Sequence, residues 1–120
     1  MIAKEDILEL LRSTESYSVE RTVSTGNMDK FCEAICAFAN DMPGSRKNGY
    51  LIIGAKDDGS IAGMKVDDAL LKKIAGIRSD GNILPLPTMS VERFSFPEGD
   101  LLVAEVRPSD LPPVRYRGRV

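Results

Sequence analysis

The sequence contains no histidine. That single absence excludes Ser-His-Asp and Cys-His catalysis, imidazole zinc sites and histidine-based pH switches within the chain. Any catalysis here has to run on carboxylates, lysine, arginine, tyrosine, hydroxyls or thiols, or on a metal held by oxygen. Cysteine is scarce: Cys32 and Cys36 alone do not make a disulfide framework. Long apolar runs are missing as well. The longest, from Tyr50 to Ala55, falls far short of the roughly 20 residues that span a bilayer. Acid appears at once at Glu5 and Asp6 with no apolar block behind it, so no secretory signal is read there. A cytoplasmic location without membrane contact is therefore expected. A large excess of one charge is also lacking. Sixteen Lys and Arg against 18 Asp and Glu give a net charge of −2, whereas domains devoted to non-specific nucleic-acid binding are ordinarily strongly basic.

What is present is the composition of one globular domain: 120 residues, 42% hydrophobic and 28% charged. A chain of this length buries roughly two-thirds of its unfolded surface and needs no metal or disulfide staple. The charges are unevenly distributed. Arg107, Arg115, Arg117 and Arg119 face only Asp110 near the C-terminus, whereas Glu5, Asp6, Glu9, Glu15 and Glu20 face Lys4 and Arg12 near the N-terminus. Such a split forms two faces of one molecule or is plain solvated charge.

Periodicity predicts a helix over residues 3–12 and a short strand over 18–24. A second helix is expected after Asn27, an N-cap residue type, with Asp29 favourably placed in its first turn. Residues 42–49 read as a loop and 50–55 as a strand buried on both faces. Lys56-Asp57-Asp58-Gly59 reads as a type I′ hairpin turn with 60–64 as the returning strand. A third helix is expected over 67–78. The two prolines of Ile83-Leu84-Pro85-Leu86-Pro87 impose extended backbone, and a hairpin turns at Pro97-Glu98-Gly99-Asp100. The predicted order is αβαββαβββ, an α+β fold with a mixed or antiparallel sheet, about three packed helices and strands joined mainly as hairpins.

Three patterns bear on chemistry. Gly44-Ser45-Arg46-Lys47-Asn48-Gly49 has glycines at Walker spacing but is followed by Tyr50 and Leu51 and precedes a strand, so nucleotide hydrolysis is excluded. Cys32 and Cys36 lie one helical turn apart, yet the chain has no further Cys or His to complete a zinc shell, and at least one of them is expected in the core. Glu15 and Glu20 flank a helix-to-strand junction, and Asp57 and Asp58 occupy a tight turn. Each acid alone fits solvated surface charge; together they can hold Mg²⁺ or Mn²⁺. Carboxylates crowded in this way without metal would raise at least one pKa.

Thr14-Glu15-Ser16-Tyr17-Ser18-Val19-Glu20 resembles the opening motif of the Schlafen AlbA-like domain family. So do Ala37-Phe38-Ala39-Asn40, Gly49-Tyr50-Leu51-Ile52-Ile53-Gly54-Ala55, Asp58-Gly59-Ser60-Ile61-Ala62-Gly63 and the closing Pro113-Val114-Arg115-Tyr116-Arg117-Gly118-Arg119-Val120. The resemblance covers roughly residues 10 to 120 and implies a single AlbA-like domain over 1–120, forming the N-terminal part of a longer protein whose effector region lies beyond Val120.

The function it implies is a nucleic-acid (DNA)-binding domain of a bacterial transcriptional regulator, with DNA or RNA as partner and no cofactor. Phosphate contacts would come from Arg115, Arg117 and Arg119, assisted by Arg46 and Lys47. Relatives that cleave RNA with three acids imply an alternative, a metal-dependent endoribonuclease with Glu15, Glu20 and Asp58 as catalytic and metal-binding residues and Asp57 as the neighbouring substitute. Only that alternative calls for Mg²⁺ or Mn²⁺. A further alternative is an assembly or sensing module that touches no nucleic acid, forming a homodimer or docking to the missing C-terminal region. The family often follows its second glutamate with an apolar residue and Lys, whereas Glu20 is followed by Arg21 and Thr22.

Overall fold

The computed structural model describes residues 3–12, 18–41 and 44–119. Three α-helices form where the apolar spacing asks for them. Helix α1 (Lys4–Arg12) has Glu5 and Asp6 in its first turn and Arg12 in its last, each matched to the helix dipole, and buries Ile7 and Leu11 one turn apart. Helix α2 (Met28–Asn40) is capped by Asn27, whose side chain accepts from the Lys30 N–H, and buries Phe31, Ile35 and Phe38 among others. Helix α3 (Asp68–Ala75) starts at Asp67, whose carboxylate accepts from the Leu70 N–H, and tightens into a 3₁₀ turn over Gly76–Arg78.

The strands are β1 (Val19–Thr22), β2 (Gly49–Ile53), β3 (Ile83–Leu84), β4 (Met89–Phe96), β5 (Gly99–Val106) and β6 (Arg115–Tyr116). Four of them make a sheet in the order β1-β2-β5-β4, while β3 and β6 form a separate two-stranded ribbon. β1 runs parallel to β2, with α2 as the crossover, and the other pairs are antiparallel. The α+β class with a mixed sheet and three helices stands. The expectation of strands joined mainly as hairpins does not, since only β4 and β5 are linked by a tight turn.

Both faces of the sheet are covered, which is why Leu51, Ile52 and Ile53 on the interior strand β2 are all buried. Leu51, Ile53, Leu102 and Ala104 pack under α2 and α3, whereas Ile52, Leu101 and Val103 pack under Ile7 and Leu11 of α1. Close approach of α2 to β2 depends on Gly49, where a Cβ would overlap the Phe38 ring. At the outer edge, the β4 carbonyls of Met89 and Ser95 accept from Arg78 Nη1 (3.3 Å) and Lys4 Nζ (2.8 Å). Cationic side chains laid on an edge in this way oppose pairing with another strand.

The segment 56–64 departs from expectation. Residues 60–64 form no strand; a single bridge, Ala55 to Ile61, joins the two arms. The turn is closed by the Gly59 N–H on the Lys56 carbonyl (2.9 Å), but Asp57 and Asp58 keep negative φ and only Gly59 is left-handed at φ 87°. A type I′ turn needs positive φ at both central residues, so that expectation is corrected. Packing decided the geometry: Gly59 backs directly onto the Leu11 carbonyl at the end of α1, with no room for a Cβ.

Candidate functional site

The arginine-bearing segment is held on α2 by a stripe of polar side chains. Asp29, Cys32, Cys36 and Asn40 recur every three or four residues and so share one face of the helix. Asn40 grips Val114 twice, donating from Nδ2 to its carbonyl (2.8 Å) and accepting its N–H at Oδ1 (2.6 Å). Cys36 Sγ donates to the same carbonyl at 3.1 Å. The buried Tyr116 donates its hydroxyl to Asp29 Oδ1, and the phenol is pushed up to about 12 because ionising it would forfeit that hydrogen bond, with burial adding to the shift. Burial raises both thiols, so Cys32 and Cys36 are protonated packing groups, as expected for core cysteines.

Val114 and Tyr116 therefore face inward, and Arg115 between them faces solvent. The chain then reverses tightly. The Tyr116 N–H donates to the Arg119 carbonyl (2.7 Å) and the Arg119 N–H to the Tyr116 carbonyl (3.0 Å), with Arg117 at φ 49° and Gly118 at φ 80°. Here the positive φ pair of a type I′ turn does occur. The Arg117 N–H is tied to the Asn82 carbonyl (2.7 Å), and its guanidinium lies 5.3 Å from the Tyr116 ring centroid. Arg115, Arg117 and Arg119 are all exposed, on a backbone fixed at Asn40, Asp29 and Asn82.

Arg46 and Lys47 are exposed too, and follow the C-terminal end of α2, where Asn40 holds Val114. Asp41 ends the helix at φ 43°, and its carboxylate accepts from the Arg46 N–H (2.7 Å), Ser45 Oγ (2.9 Å) and the Ser45 N–H (3.1 Å). Those bonds, the one from Arg46 first, hold the Asp41 carboxyl below the usual range. The segment 114–116 runs from Asn40 at the end of α2 towards Asp29 at its start, so Arg46 and Lys47 follow the end that holds Val114, and the turn carrying Arg117 and Arg119 lies towards the other.

The acids divide between faces. Glu20 pairs with Leu51 in the parallel ladder, so it lies on the α2 side, where Lys30 Nζ stands 3.6 Å from Oε1. Its neighbour Arg21 lies on the α1 side, buried, donating from Nη2 to the Asp57 carbonyl (3.0 Å) and, at longer range, from Nη1 to the Leu10 carbonyl (3.5 Å). Asp57 and Asp58 are exposed on that turn. Asp58 Oδ1 accepts from Ser60 Oγ (2.6 Å) and the Ser60 N–H (2.9 Å), which lower its pKa. That direction is opposite to the one expected of crowded carboxylates. Glu15 lies outside the described residues. Among the described residues, no three acids or thiols come close enough to hold a metal ion.

Sequence reasoning missed Asn40, Asp29 and Cys36 as the dock for β6. The available signal was the recurrence of Asp29, Cys32, Cys36 and Asn40 at every turn along one face of the helix.

With this geometry in hand, comparison with known proteins decides the family. Residues 15–120 match the family described as Schlafen, AlbA_2. The chain belongs to the Schlafen AlbA_2 family. No curated protein matches the sequence. Among solved structures it is similar to the N-terminal domain of a protein from Nitrosomonas europaea named as related to the ATP-dependent DNA helicase RecG. That likeness has a TM-score of 0.67 and 23% identity, covering 100% of this chain and 90% of the other. At that identity the likeness establishes the AlbA_2 fold. Among the described residues of this AlbA_2 domain, no helix is long and apolar enough to cross a membrane.

Proposed function

We propose that this AlbA_2 domain is a nucleic-acid (DNA)-binding domain of a bacterial transcriptional regulator, and that it binds the phosphate backbone through Arg115, Arg117 and Arg119. The observation that carries the reading is the pinned turn: three exposed arginines within five residues, on a backbone held by Asn40, Asp29 and Asn82. Fixing the backbone first lowers the ordering entropy lost when a polyanion is bound. Guanidinium groups also match phosphate oxygens in pairs. Family membership and the description of the N. europaea protein support nucleic acid as the ligand. Arg46 and Lys47, just past the end of α2 where Asn40 holds Val114, extend the footprint. The net charge of −2 keeps non-specific attraction modest and leaves these local groups to carry it.

The test is a fluorescence-anisotropy titration of a labelled duplex across a series of salt concentrations. Binding is expected at low salt and weakens with a log–log slope of about −0.9 per phosphate neutralised. Salt-insensitive binding, or none at low salt, overturns the reading.

A further inference from the structure

The ribbon that carries the arginines has an apolar partner on its outer side. β3 pairs with β6 so that Ile83 opposes Tyr116 and Leu84 opposes Arg115. Residues opposed in an antiparallel pair project to the same face. Ile83 and Tyr116 are buried, so the other pair, Leu84 and Arg115, is turned outward, with Leu84 55% exposed. Leu86, two residues further along, is 54% exposed. A large apolar side chain this open, directly opposite a cation and followed two residues on by a second, suits a ligand that offers an anion and an apolar surface within one residue spacing.

From this juxtaposition we infer that the β3–β6 ribbon binds single-stranded nucleic acid in preference to duplex, Leu84 and Leu86 packing on unstacked bases while Arg115, Arg117 and Arg119 hold the phosphates. The inference rests on the nucleic-acid reading above and names its substrate class. Charge complementarity selects a polyanion. Within that class, a duplex keeps its base faces stacked on one another, and only a single strand presents base face and phosphate side by side. The contact is aliphatic, because the one aromatic ring of the ribbon, Tyr116, is buried against α2. A strand-adding peptide is a poor occupant: Pro85 and Pro87 follow β3 and Pro112 and Pro113 precede β6, and none offers an N–H to an incoming strand.

The experiment compares a labelled 12-nucleotide single strand with the duplex of the same sequence, using the full 120-residue chain and its Leu84→Ser/Leu86→Ser variant. Both leucines are more than half exposed, so the variant keeps the fold, which thermal melting verifies. The native chain is expected to prefer the single strand by about tenfold, the equivalent of covering part of two leucines. The variant loses that preference and keeps its salt slope, because the phosphate contacts are untouched. Equal affinity of the native chain for both forms, or a preference that survives in the variant, overturns the inference while leaving nucleic-acid binding intact. Absence of binding to either form overturns both. Vesicles of phosphatidylglycerol and phosphatidylcholine form a control arm. Leucine-dependent capture by vesicles, with oligonucleotide binding unaffected by the variant, assigns the patch to a lipid surface and overturns the inference as well.

Discussion

The arginine ribbon and the acidic turn look equivalent in the sequence, each a short run of like charge beside glycine. In the folded protein they differ in what holds them. The ribbon is fastened by side chains of α2 to backbone groups 74 residues away, which leaves its own charges exposed and uncommitted to partners on α2. The turn at Asp57 and Asp58 is fastened by Arg21 and by the fit of Gly59 against α1, and the carboxylate of Asp58 is spent on Ser60. Glu20, its expected companion, is on the other face of the sheet with Lys30. What differs is grouping: the three arginines share one pinned turn, whereas the described acids are divided between the two faces of the sheet.

The largest expected effect lies on the ribbon. Arg115→Ala, Arg119→Ala and Arg117→Asn combined, the last chosen because asparagine tolerates a left-handed φ, should weaken duplex binding on the order of 100-fold and flatten the salt slope by nearly three contacts. Anisotropy reads both. An unchanged slope would break the contrast between the two regions.

Next comes Gly59→Ala at the acidic turn. It forces a Cβ into the Leu11 carbonyl at a φ of 87° and should destabilise the fold by about 2–4 kcal/mol in denaturant titration. A neutral result would mean that the turn is not seated on α1. On the ribbon side, Asn40→Leu leaves the Val114 N–H without its partner and weakens the hold on its carbonyl, for about 2 kcal/mol.

The pH dependence separates the regions further. Tyr116 ionises later in the folded state than its ordinary 10.0, so its contribution to stability is complete below pH 10 and is lost as pH rises through about 12. An ultraviolet absorbance titration should show a late tyrosine phase, to which Tyr50, also raised by burial, contributes, and Tyr116→Phe should remove its latest part. Asp58 behaves in the opposite sense: its lowered pKa contributes stability above about 3.8, lost as pH falls through the folded value, and Asp58→Asn should blunt that acid limb in thermal melts.

The smallest effect is expected for Glu20→Gln with structured RNA and Mn²⁺, where gel analysis should find no difference in cleavage from the native chain. Cleavage by the native chain that the variant lost would restore the acidic set, Glu15 included, as a working site.

By itself the sequence determined the features whose causes are local. Apolar spacing announced the three helices, and Asn27 marked one start, because a cap bonds only three residues ahead. The apolar run 50–55 announced an interior strand, and Leu51, Ile52 and Ile53 within it are buried because both faces are covered. The AlbA_2 motifs carried the family. Tertiary structure alone decided the order β1-β2-β5-β4, the parallel pairing of β1 with β2, and the division of Glu20 from Arg21 across the sheet. It also decided that Asn40 and Asp29 would be the fasteners of β6. Bonds spanning 74 and 87 residues join groups that are common surface types in sequence, and their geometry exists only once the helix has packed against the ribbon.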